Sequence, residues 1–240
     1  GYTTGSCACA AAKAAFITLV SGTVLRNCRF VLPCGEEMEL PVGLVSREEG
    51  RVTYSVVKDA GDDPDITNGC EIRATVNFNT THELRFLPGE GVGVVTLPGL
   101  GLEIGAPAIN PVPRRMMEEE LRKLQSFYKI SQGIDIMLTV PGGKELALKT
   151  FNPKLGIEGG ISIIGTSGVV KPFSAEAFVA TIRKEIQVAG ALGYKHIVIN
   201  SGAKSERIVR ERFSELSPQA FVHYGNYIGE TLKIAEEEGI

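Results

Sequence analysis

GYTTGSCACAAAKAAFITLVSG, residues 1–22, is the stretch on which the fold turns. Alanine is the best helix former, Ser6 stands where an N-cap is wanted and Gly22 where a helix can end, so the spacing predicts a helix over Cys7–Ser21. Apolar residues occupy every side of it, and a helix without a polar face must be buried. Its apolar run, Cys7 to Val20, is interrupted by Lys13 and is shorter than the roughly 20 residues a spanning helix requires. No basic leader precedes it, so it does not read as a signal peptide, although the first residue is Gly and not Met. The expectation is a core helix in a cytoplasmic protein with no membrane segment.

Outward from this helix the texture changes. Between Asn27 and Phe86, β-branched and aromatic runs separated by turn residues predict strands at Arg29–Leu32, Glu39–Val45, Val52–Val57 and Ile72–Phe78 in an antiparallel or mixed sheet. Residues 88–113 interleave five prolines with six glycines, a density that forbids long regular elements and marks a functional loop. A helix over Met116–Phe127 with an acidic first turn, a strand at Ile134–Val140 and a short helix over Lys144–Phe151 follow. After Pro153 the pattern repeats as strand, loop, helix. Strands are predicted at Ile161–Ile164, His196–Ile199 and Ala220–Val222. The intervening helices are marked by Phe178, Ile182 and Ile186, by Ile208, Val209, Phe213 and Leu216, and by Ile228, Leu232 and Ala235 over Asn226–Glu238. Such alternation implies parallel βαβ units. The fold class is therefore an α+β N-terminal domain, 1–153, followed by a smaller α/β Rossmann-like domain with a parallel sheet, 154–240, after which a further strand is expected.

Composition narrows the chemistry. The 240 residues are 43% hydrophobic and 22% charged, enough to bury a core. With 25 Lys and Arg against 28 Asp and Glu the net charge is −3, and no basic stripe faces a nucleic acid. Five cysteines without a C-x-x-C pair suit reduced thiols rather than a disulfide framework or a zinc knuckle. His82, His196 and His223 are scattered, and neither an H-E-x-x-H nor a G-x-S-x-G motif occurs, so zinc and hydrolytic readings lapse.

Open parallel sheets bind ligands at the carboxyl ends of their strands. Three loops are expected there: Gly165-Thr166-Ser167-Gly168, Asn200-Ser201-Gly202 and His223-Tyr224-Gly225-Asn226, whose glycines admit backbone contact and whose hydroxyls and amides are neutral. Gly160 to Ser167 lacks the lysine of a phosphate-binding loop, G-x-G-x-x-G is missing, and Asn200 stands where a dinucleotide site needs an acid. A weakly charged, nucleoside-like ligand fits better. Asp59, Asp62, Asp63 and Asp65 crowd one turn, as a solvated turn, a divalent-cation site or carboxylates that meet ring N–H groups. Thr3, Thr4, Gly5 and Ser6 lie at a helix N-terminus, which is either a plain cap or an anion site.

GYTTGSCACAAAKAA at 1–15, KDAGDDPDITNG at 58–69, PGLGLEIGAPAINPVPR at 98–114 and FNPKLGIEGGISIIGTSGVVKPFS at 151–174 together resemble the CbiD family of cobalamin biosynthesis. The resemblance covers nearly the whole chain. It implies S-adenosylmethionine as methyl donor, a cobalt-containing tetrapyrrole as acceptor, and methylation of ring carbon 1 of cobalt-precorrin-5B to give cobalt-precorrin-6A. On this reading Gly165, Thr166, Ser167, Gly168, Asn200, Ser201, Gly202, Gly225 and Asn226 hold the donor. Thr3, Thr4, Gly5, Ser6, Asp59, Asp65, Gly99, Gly101 and Arg114 face the acceptor, Asp62 or Asp63 holds or receives a ring proton, and the chain binds no metal of its own. Family members usually continue beyond this point with a strand and a Gly-His-rich loop, and Cys9 stands where they tend to have alanine, a packing difference. Two other classes stay open: a non-catalytic corrinoid-binding protein and a small-molecule kinase. A homo-oligomer is compatible with all of them.

Overall fold

The computed structural model describes residues 1–172 and 174–240. Helix α1 (Thr4–Ser21) starts three residues before the expected Cys7, because Thr3 and not Ser6 is its cap: Thr3 Oγ1 accepts the Ser6 N–H at 3.2 Å. Gly22, at φ 76°, ends it as expected. By length and composition alone α1 could cross a membrane, with a mean hydropathy of 1.3, yet 72% of it is buried inside the protein. Lys13, its one charged residue, reaches out to Glu120 at 2.6 Å.

Strands β1 (Asn27–Val31) and β2 (Glu37–Pro41) form a hairpin. The expected single strand Glu39–Val45 is broken at Val42, whose N–H turns back to the Arg26 carbonyl, so β2 stays in the hairpin and β3 (Gly43–Glu48) enters the main sheet. That sheet also takes β4 (Arg51–Val57), β5 (Glu71–Asn79) and β6 (Leu84–Leu87), a four-residue strand the hydrophobic pattern does not announce. Short β7 (Gly91–Val92) and β8 (Val94–Val95) punctuate the Gly/Pro-rich loop. Helix α2 (Pro111–Tyr128) begins five residues before Met116, so its first turn carries prolines and no acid; a proline there costs nothing, since that N–H has no partner within the helix anyway. Strand β9 (Gly133–Thr139) completes the sheet in the order β3-β4-β5-β9-β6, antiparallel except for β6 beside β9. Val52, Tyr54 and Val56, Ile72, Ala74 and Val76, and Ile134, Ile136 and Leu138 alternate onto the face that packs on α1. Helix α2 covers the other side of α1.

After α3 (Gly143–Ala147), β10 (Ile157–Glu158) pairs antiparallel with β8, and β11 (Gly160–Ile161) pairs parallel with β7. Ile163 bridges to Ile109. The Ile161–Ile164 segment thus joins strands that precede it and is not the first strand of a C-terminal sheet. That sheet, among the described residues, is the parallel pair β12 (Val198–Asn200) and β13 (Phe221–His223). Around it lie α4 (Ala175–Ala191), α5 (Ala203–Arg212) and α6 (Ile228–Glu237). Ile182 and Ile186 are buried as expected, but α6 turns Thr231, Ile234 and Ala235 inward and leaves Ile228 and Leu232 exposed, while α5 buries none of its residues. Phe213 and Leu216 lie beyond the end of α5. The whole is a mixed α/β fold with several sheets, parallel and antiparallel.

Tyr54 ties this core together: its buried hydroxyl accepts the Leu25 N–H at 2.9 Å and lies 2.9 Å from Thr18 Oγ1. Tyr54→Phe leaves the Leu25 donor unpaired and should cost about 1–3 kcal/mol, read as a lower denaturation midpoint.

Candidate functional site

The carboxyl edge of β12 and β13 is built from small polar loops and aromatic rings. Asn200 ends β12 opposite His223; its Nδ2 donates to the Val222 carbonyl at 3.1 Å and its own carbonyl accepts the Tyr224 N–H at 2.9 Å. His223 Nε2 lies 2.9 Å from the Ser201 carbonyl, which can only accept, so Nε2 carries a proton. Ser205 Oγ accepts the N–H groups of both Ser201 and Gly202 at 3.1 Å. From α4, Phe178 places its ring 5.7 Å from that of His223 and 5.4 Å from that of Tyr227, and Phe151 lies 6.4 Å from His223. Gly225, at φ 55°, is required here, because a Cβ would come within 2.9 Å of the Phe178 ring. Asn226 is exposed in the turn beyond.

Beneath this edge Glu185 accepts the His223 N–H and an ion pair from Lys154, each at 3.1 Å. Burial pushes the Glu185 carboxyl upward against the pull of Lys154. The aromatic set and the Lys154–Glu185 pair were not singled out from sequence; the signals were Phe151 and Lys154 inside a quoted motif and Phe178 on the inner face of its helix.

Gly165–Gly168 lies against the start of α1. Thr3 N and Ser6 Oγ donate to the Gly168 carbonyl at 3.1 and 2.6 Å, Gly5 N donates to the Ile164 carbonyl at 2.9 Å, and Thr4 Oγ1 accepts the Ile164 N–H at 2.9 Å. The structure therefore brings the expected Thr3–Ser6 and Gly165–Gly168 groups to each other. Thr3, Thr4, Gly5 and Ser6 are buried, and the N–H groups of Gly5 and Ser6 are spent on protein oxygens. Thr166 is exposed and Ser167 half-buried, its hydroxyl donating to the Val169 carbonyl at 3.0 Å.

The acidic turn lies beside the chain start, with the Tyr2 N–H donating to the Asp59 carbonyl at 2.8 Å. Its carboxylates do separate things. Asp59 Oδ1 accepts the Gly61 N–H, and Asp65 accepts from the buried Lys58 ammonium at 2.7 Å and from the Thr67 hydroxyl and N–H. Burial alone would raise the Asp65 pKa; the Lys58 and Thr67 hydrogen bonds outweigh it and hold the carboxyl below its ordinary value. Asp62 is exposed and Asp63 half-buried. Cys7, in the same region, is pushed up to about 12 by burial. Of the Gly/Pro-rich loop, Gly99 packs on α4, where a Cβ would meet the Gln187 carbonyl at 2.6 Å, and Gly101 has open space. Arg114 stacks 4.7 Å over the Phe86 ring.

The sequence profile of CbiD matches residues 1–172. The chain belongs to the CbiD family. Among relatives, it is 45% identical over its whole length to a protein from Prosthecochloris aestuarii named cobalt-precorrin-5B C(1)-methyltransferase, and 45% identical to one of the same name from Geobacillus kaustophilus. This CbiD chain spans 66% and 64% of those two proteins. It is also similar to the crystal structure of cobalamin biosynthesis protein (cbiD) from Archaeoglobus fulgidus, with 27% identity, a TM-score of 0.56, and coverage of 100% of this chain and 84% of that one.

Two outcomes follow for these segments. Gly165 sits at φ 143°, and a Cβ there would come within 2.3 Å of Thr3 Oγ1. Gly165→Ala should therefore lower the melting temperature by dislodging the α1 cap. Lys58→Met strands the Asp65 carboxylate and should cost on the order of 3 kcal/mol near neutral pH. Because the folded pKa of Asp65 is depressed, its stabilising contribution is present above the ordinary carboxylate range and is lost as pH falls through the folded value. Denaturation midpoints should thus converge for wild type and Lys58→Met in strong acid.

Proposed function

We propose that the chain is the donor- and acceptor-binding part of a cytoplasmic, S-adenosylmethionine-dependent C-methyltransferase. It methylates ring carbon 1 of cobalt-precorrin-5B, giving cobalt-precorrin-6A. The observation that carries this reading is the 45% identity, along the entire chain, to relatives named for that reaction. The substrate is a cobalt tetrapyrrole and the metal travels with it.

The β12–β13 edge suits the donor. Its loops hold small and neutral groups, Asn200, Ser201, Gly202, Gly225 and Asn226, with the Phe178, Tyr227 and His223 rings beside them, surfaces for a flat base or a cation and not for a phosphate. When bound, the donor supplies an electrophilic methyl group on sulfur. The protein's work is positioning: Glu185 holds the His223 backbone, His223 holds the Ser201 carbonyl, and Ser205 holds Gly202, which ties the donor loops to the sheet edge through a few hydrogen bonds. Residues 1–153 form the tetrapyrrole-facing domain in this proposal and 154–240 the donor-binding one, whose Rossmann-like character lies in β12, α5 and β13. Residues 157–163 reach back to pair with the first part.

On the acceptor side, the exposed Asp62 or the neighbouring Asp63 meets ring N–H groups and holds or takes a proton. Thr3 to Ser6 support that surface from within, and acid arms of the acceptor meet Arg114 and the exposed Arg115 at the start of α2.

Anaerobic incubation of the protein with S-adenosylmethionine and cobalt-precorrin-5B, read by mass spectrometry, should show one added methyl group. Corrinoid binding without a mass change would mark a carrier instead. Asp62→Asn combined with Asp63→Asn should cut turnover by about 10²-fold or more while donor affinity stays within about twofold. Equal loss of both would assign the turn to folding.

A further inference from the structure

Two buried side-chain polar atoms among the described residues have no hydrogen-bond partner, Arg73 Nε and Asn200 Oδ1. Arg73 is one-third exposed and paired with Glu71, whereas Asn200 is 3% exposed. An unpaired buried oxygen is expensive, and native folds keep few of them.

The orientation of the Asn200 amide is fixed by its surroundings. The Val222 carbonyl, 3.1 Å away, demands a donor, so Nδ2 must face it and the oxygen must face the other way. Four backbone donors of the adjoining loops are committed elsewhere: Ser201 N and Gly202 N to Ser205 Oγ, Tyr224 N to the Asn200 carbonyl, and His223 N to Glu185. The His223 Nε2 proton goes to the Ser201 carbonyl. Among the described residues no donor reaches Oδ1, and a ligand at this edge can supply one.

The segment that follows this residue buries little surface. Ser201 is exposed, α5 buries none of its residues, and Gly202 is in extended backbone with only the His223 ring within 4 Å of where a Cβ would be. Segments with so little buried contact open at low cost. The oxygen is closed to solvent, so a ligand that reaches it has to shift part of this edge on binding.

We infer that Asn200 Oδ1 accepts a hydrogen bond from an N–H group of the ligand at the β12–β13 edge and thereby selects for ligands that carry one. The inference rests on the donor-site reading above. In a ligand of the S-adenosylmethionine class the N–H belongs either to the exocyclic amine of the base or to the ammonium of the amino-acid arm.

Calorimetry with three probes tests it: S-adenosylhomocysteine, S-inosylhomocysteine, in which a carbonyl replaces the base amine, and 5′-methylthioadenosine, which lacks the amino-acid arm. If the base amine is the donor, wild type should bind the adenosyl form about 10- to 100-fold tighter than the inosyl form, and Asn200→Ala should bring the two within about threefold. If the ammonium is the donor, wild type should not separate the bases, and Asn200→Ala should weaken S-adenosylhomocysteine about tenfold while sparing 5′-methylthioadenosine. Either pattern supports the inference. The wild-type comparison of bases requires no variant to fold. Unchanged or equal losses across all three probes in a folded Asn200→Ala overturn it, as does a change confined to melting temperature, which would assign the oxygen to a structural water. Failure of every probe to bind wild type overturns the donor site itself.

Discussion

Helix α1 can lie close between a five-stranded sheet and a second helix because most of its buried side chains are small. Ala8, Ala10, Ala11, Ala12, Ala14 and Ala15, with Cys7 and Cys9, are fully buried along it. Packing on both sides leaves room for only one large fully buried side chain on it, Phe16, which meets Phe78 edge-on, and interiors this dense transmit any misfit. The same constraint places the start of α1, since a helix locked on two sides delivers Thr3 to one location. There the Gly168 carbonyl accepts the Thr3 N–H, and the Asp59 and Ile164 carbonyls accept those of Tyr2 and Gly5 on either side. The N-terminal residues thus join the chain's first segment to the stretch near residue 165 and to the acidic turn.

How legible this was depended on whether the deciding interactions were local. The buried helix and its stop at Gly22 follow from propensity, and the strands Val52–Val57 and Ile72–Phe78 follow from alternation and stand within a residue of expectation at each end. Boundaries set by capping went astray: Thr3 and Ser6 are equally good caps in sequence, and only the partner at residue 168 favours Thr3. Ile161–Ile164 reads as a strand, but its parallel partner lies far back in a loop whose prolines and glycines hide short β7. On α6 the apolar residues Ile228 and Leu232 suggested the inner face, whereas Thr231 occupies it by donating its hydroxyl to the Tyr227 carbonyl at 2.7 Å.

For the site, residue type was legible and grouping was not. The three glycine-containing loops look alike in sequence. Two of them meet across β12 and β13, and the third lies against α1 because glycines at 165 and 168 are the close-packing surface for Thr3, Ser6 and Leu32. Likewise four aspartates in one turn look equivalent, but a buried lysine immediately after the end of β4 claims Asp65 and leaves Asp62 facing solvent. Lys154 and Glu185 meet through sequence separation that no local pattern reports.

The central claim is that the nucleoside donor sits at the β12–β13 edge. Amide chemical-shift mapping of the isotope-labelled protein on titration with S-adenosylhomocysteine tests it most directly. The account predicts that the largest changes fall on Ser201, Gly202 and His223 to Asn226. Changes confined to Thr3–Ser6 and Gly165–Gly168 would contradict it and move the donor to the start of α1.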